Sequence, residues 1–123
     1  MERAIECFVA LSGAVIALSH IFRADDWAEA YRQLHRLGRP GAFVNGGLSL
    51  VPGAAIVAGH GSWTWPSTVL TVFGWLLILK ATTCFLAPDK SLISMERGAR
   101  SPSGFRVGGF LLLGIVAWAG YCL

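Results

Sequence analysis

A chain of 123 residues in which 54% are apolar and 14% charged departs from soluble domains, where about a quarter of residues carry charge. The formal net charge of +3 sits in segments that flank apolar runs, so its natural partner is anionic lipid and not nucleic acid. The length excludes a second domain, and the expected organisation is a single unit over residues 1–123.

Four apolar stretches run over residues 4–22, 42–58, 68–86 and 107–123. At about 1.5 Å per helical residue each is long enough to cross a bilayer. Apart from Glu6 and Lys80 they contain no Asp, Glu, Lys or Arg, whereas a soluble helix would carry charge along one side. The expected fold is all-α: an integral membrane bundle of four transmembrane helices, with an amphipathic helix on the cytoplasmic surface between the first two.

The first stretch opens on Glu2, Arg3 and Glu6 instead of a basic cluster, and no small-x-small site follows it, so it reads as a retained helix and not a signal peptide. Arg3 and Glu6 are spaced for an interfacial ion pair. Ala10, Gly13, Ala14 and Ala17 form a small-residue stripe suited to close helix packing, and His20 lies on it near the inner end.

Residues 26–37 predict the amphipathic helix, with Asp26 as N-cap, Glu29 as its capping-box partner, Gly38 at C′ and Pro40 as a stop. Trp27, Tyr31 and Leu34 share one face, with Arg32 and Arg36 elsewhere. Such a helix is expected to lie flat on the inner leaflet, as a connector that shields the underside of the bundle or, alternatively, as a docking surface for a partner or an anionic lipid headgroup.

In the second stretch Ala42, Gly46 and Gly53 favour close packing, and Asn45, Ser49 and Pro52 form one stripe. Pro52 frees the carbonyl of Leu48 and predicts a kink. The 59–67 loop carries Trp63 and Trp65; with Trp118 and Tyr121 they resemble an aromatic belt, matched by Trp27 and Tyr31 at the other boundary. Trp75 lies deeper and reads as packing.

The third stretch holds Lys80, six residues before Leu86. A cation at that depth costs a few kcal/mol; its long stem can snorkel toward Asp25, Asp26, Asp89 or a lipid phosphate, and the alternatives are a ligand- or ion-related role or a carboxylate of another subunit. His20, Asn45, Ser49 and Lys80 fall at similar depths and suggest one intramembrane polar cluster. A second short helix is expected from Pro88 to Gly98, then a basic loop to Arg106. The fourth stretch carries Gly108, Gly109 and Gly114, with Cys122 level with Cys7.

One set of connections holds Arg23, Arg32, Arg36, Arg39, Lys90, Arg97, Arg100 and Arg106; the opposite side holds only Arg3. The bias places the basic connections in the cytoplasm and both termini outside, in a bacterial inner membrane. The halves also echo each other. Phe22-Arg-Ala-Asp-Asp26 parallels Phe85-Leu-Ala-Pro-Asp89, and Phe43-Val-Asn-Gly-Gly47 parallels Phe105-Arg-Val-Gly-Gly109. They suggest two parallel two-helix repeats related by an axis along the membrane normal.

The spacing of His20, His35 and His60 supports neither a haem pair nor a zinc set, and no phosphate-binding loop or nucleophile elbow is present. No cofactor, metal or catalytic residue is expected. The leading expectation is a non-catalytic accessory, structural or assembly subunit of a membrane complex or homo-oligomer. The alternative is a small transporter or lipid- or anion-binding protein built on the cluster around Lys80.

Overall fold

The computed structural model of the protein describes residues 2–123. Six helices follow in order: α1 (Glu2–Phe22), α2 (Ala24–Arg36), α3 (Arg39–Gly59), α4 (Thr68–Leu86), α5 (Pro88–Ala99) and α6 (Pro102–Cys122). No strand occurs among the described residues. The helices α1, α3, α4 and α6 have 21, 21, 19 and 21 residues, or about 28–32 Å at 1.5 Å per residue, the thickness of a bilayer core. All four are apolar enough to span a membrane.

The order span, short helix, span occurs twice. Each span packs most extensively on one from the other half: α1 on α6, and α3 on α4. The small residues explain the close approach, because glycine lets backbones come near where no hydrophobic drive exists in lipid. A Cβ at Gly13 would meet Val116 and Leu112 of α6, and one at Gly74 would meet Ile56 and Val57 of α3. Gly46 abuts Cys84 and Phe85, while Gly109 abuts His20 and Ile21. Gly46 and Gly109 are 63 residues apart, as are Ile21 and Cys84. The contacts thus repeat with approximate two-fold symmetry. Since α2 and α5 lie at the same end and pack together, the axis runs along the bundle.

Two details of α2 differ from the sequence expectation. It begins at Ala24 with Arg23 at the N-cap, and no side chain caps it. Asp26 instead accepts from Arg23 at 2.5 Å and Glu29 from Arg32 at 2.7 Å; a nearby guanidinium outcompetes the backbone amide for these carboxylates. Gly38 adopts φ +71, as a C′ glycine does, but Pro40 opens α3 in its first turn, where its missing N–H is harmless.

The aromatic face of α2 turns toward the bundle. Ala24 and Ala28 are buried, and Trp27 and Tyr31 pack against Phe105. The alanines let α2 sink between the spans, so its aromatic face packs on the protein's own core. Leu34 is half-buried, while Arg32 and Arg36 remain exposed. Trp75 is 48% exposed and faces outward, contrary to a packing role. Helix α3 runs through Pro52 without a break in its assignment.

Candidate functional site

Polar groups gather at two levels of the bundle. Toward the basic face, Asn45 stands six residues from the start of α3 and Lys80 six from the end of α4. Antiparallel packing brings them to the same depth, about 9 Å from the helix ends. They line a cavity of about 240 Å³ with Tyr31 of α2, Thr83 and Cys84 of α4, and Ser91, Ser94 and Met95 of α5.

Asn45, Cys84, Ser91 and Met95 are buried; Lys80, Thr83 and Ser94 are exposed at its rim. Asn45 Nδ2 donates to Cys84 Sγ at 3.8 Å, and Cys84 Sγ lies 3.1 Å from Ser91 Oγ. Lys80 Nζ donates to the Tyr31 hydroxyl at 3.4 Å. Among the described residues no carboxylate forms a salt bridge with Lys80. The arrangement offers one positive charge and several hydroxyls in a space below the roughly 300–1,000 Å³ of pockets for drug-sized molecules. It suits a small anionic group.

The expected cluster therefore assembles in part. Asn45 and Lys80 share the cavity. Ser49, one turn further along α3, is buried but does not line it. His20 belongs elsewhere: its ring stacks on Trp27 at 4.1 Å and tilts against Phe105 at 5.8 Å, with Nδ1 2.8 Å from the Ile16 carbonyl oxygen. Trp27 Nε1 donates to Ser19 Oγ at 2.8 Å, and Tyr31 meets Phe105 edge-on. This aromatic group fills the position that the two-fold relation pairs with the cavity. At the 63-residue offset, Lys80 replaces Ala17, Asn45 stands against Gly108, Ser91 against Ala28 and Cys84 against Ile21. One half closes its crevice with rings; the other keeps it open and polar. Thr83 and Cys84 share the face of Lys80 at helical spacing, whereas Tyr31 and Ser91 reach the cavity from the short helices, which no local spacing reveals.

The second level lies toward the opposite face and was not anticipated. Glu6 is 4% exposed and His60 fully buried; His60 Nε2 lies 3.1 Å from Glu6 Oε1 and Nδ1 lies 3.4 Å from Thr71 Oγ1. A proton must sit between Glu6 and His60 for their contact to be favourable. The Thr71 hydroxyl lies 2.7 Å from the carbonyl oxygens of both His60 and Ser62. The expected Arg3–Glu6 pair does not form, because Glu6 turns into the bundle and Arg3 reaches the Leu123 carbonyl at 3.5 Å. The network ties α1 to the α3–α4 connection. Its signal in the sequence was a carboxylate and a histidine in apolar surroundings at equal depth. Cys7 and Cys122 are both free thiols.

Among the described residues no group of three or more His, Cys, Asp or Glu is placed to hold a metal ion. Comparison with known proteins finds no family model, curated protein or solved structure that matches the chain.

Proposed function

We propose that the protein is a non-catalytic multi-pass membrane protein that binds a small anionic group, a phosphate or carboxylate, in the cavity beside Lys80. The observation that supports this reading is the broken symmetry of the halves. An ammonium group at the centre of a membrane span costs about 2.5–3.5 kcal/mol on insertion scales, and nearer the end of the span, where Lys80 stands, part of that cost remains. Lys80 occurs where the other half carries Ala17, so the fold itself does not require it. The adjoining Asn45, Ser91 and Tyr31 supply further hydrogen-bonding groups.

The charge bias supports an orientation in a bacterial inner membrane with the basic connections in the cytoplasm and both termini outside; in that orientation the anion enters from the cytoplasmic leaflet. The exposed Leu and Val side chains of the spans are met by lipid. They do not favour an accessory subunit over a binding protein.

Lys80 and Lys90 are the only lysines, which makes the test direct. Reductive ¹³C-methylation labels Lys80, Lys90 and the α-amino group, and Lys80→Met assigns the Lys80 resonance. Titration with dihexanoyl phosphatidic acid, or with inorganic phosphate, should move the Lys80 resonance saturably and leave Lys90 nearly still. Replacing Asn45 by Ala should weaken the response. Lys80 unmoved by either ligand, or both lysines moving in parallel, would reject the reading.

A further inference from the structure

A second cavity, of about 520 Å³, opens beside α2 and α5 and shares no lining residue with the Lys80 cavity. Arg32, His35 and Arg36 of α2 face Glu96 of α5 and Arg100 across it. We propose that this cleft binds the phosphate of an anionic phospholipid from the leaflet on the basic face.

Depth is the first ground. Only Arg23 separates α1 from α2, and only Ala87 separates α4 from α5. Both short helices therefore sit where the spans end, at the level of lipid headgroups.

Charge is the second. Arg32 is fixed: Nε donates to Glu29 at 2.7 Å and Nη1 to the Ala99 carbonyl at 2.9 Å. Its hydrogen bond holds the Glu29 carboxyl below the ordinary glutamate range, so that pair is ionised and self-neutral. Arg100 is countered by Glu96 at 2.5 Å. Arg36 has no carboxylate partner among the described residues, and His35 lies beside it. Three guanidinium groups against two carboxylates leave the cleft positive. A guanidinium fork matches two phosphate oxygens at once.

The flanks argue for a lipid over a soluble anion. Ile93, one turn before Glu96 on α5, is 52% exposed, and Leu37, next to Arg36, is 60% exposed. These apolar side chains border the basic groups at the boundary where acyl chains begin. A free phosphate gains nothing from them.

The test is a lipid titration of the purified full chain in an uncharged detergent, read by native mass spectrometry. The ligands are dioctanoyl phosphatidylglycerol, dioctanoyl phosphatidylcholine and inorganic phosphate. Phosphatidylglycerol should bind, phosphatidylcholine at least tenfold more weakly. The variant R36Q/R100Q should lose roughly 25-fold in affinity, about fivefold for each charge near a membrane surface. Lys80→Met should leave this site intact, so the cleft and the Lys80 cavity are scored separately. R36Q alone keeps the test readable if the double variant fails to fold, since the Arg36 side chain makes no hydrogen bond within the fold among the described residues. Unchanged phosphatidylglycerol affinity in R36Q, equal binding of phosphatidylcholine, or inorganic phosphate binding as tightly as the lipid would each overturn the proposal.

Discussion

Glu6 and His60 show what a polar side chain inside an apolar bundle demands. Each is buried, and each is the other's hydrogen-bond partner. Removing one leaves the other buried without its partner, at about 1–3 kcal/mol and more if charged. Glu6→Ala should therefore lower the melting temperature in detergent clearly, and His60→Ala similarly. The double variant E6L/H60F should recover part of the loss, because no polar group is then stranded. A double variant that melts at the sum of the two single losses would show that the contact is not the source. At the same scale, Trp27→Ala should cost about 3–5 kcal/mol, since the ring stacks on His20 and lies 6.5 Å from Phe105. An unchanged melting temperature would mean that the rings do not close that crevice.

At the scale of the elements, glycine decides how near the helices come. A Cβ at Gly41 would run into the backbone carbonyl of Leu34, whereas one at Gly47 meets nothing within 4 Å. Gly41→Ala should force α3 away from α2 and reduce folded yield sharply. Gly47→Ala should be neutral or raise stability by about 0.5–1 kcal/mol through helix propensity. Equal melting temperatures for the two would contradict the packing described.

The contrast also separates what could be read in the chain from what could not. Span lengths, the small stripes and the isolated Lys80 were legible, because they follow from the thickness of lipid and from helical spacing. The destination of Glu6 was not: its partner lies 54 residues away, just past the end of α3, and local spacing favoured Arg3. The inward turn of Trp27 was equally hidden, since an amphipathic face looks the same whether it meets lipid or the underside of its own bundle. Buried Ala24 and Ala28 carried that information, but only as small residues among many.

The whole molecule is two similar halves interlocked, with each span leaning on the other half and both short helices at one end. The resulting charge asymmetry predicts a single orientation. In intact bacterial cells, in a background with Cys7, Cys84 and Cys122 replaced by Ala, Thr64→Cys should react with a membrane-impermeant maleimide, and Ser103→Cys only after the inner membrane is breached. The reverse pattern would invert the topology and move the Lys80 cavity to the other leaflet. Symmetry also frames the site: where one half is filled by His20, Trp27 and Phe105, the other holds Lys80, hydrogen-bonded to Tyr31, above a polar floor. The most direct measurement is an experimental structure of the protein extracted with its native lipid and without detergent. Density for an anionic group within hydrogen-bonding distance of Lys80 Nζ and turned toward Asn45 is the expected result. A cavity closed around Lys80, or Lys80 paired with a carboxylate from a neighbouring chain, would contradict it.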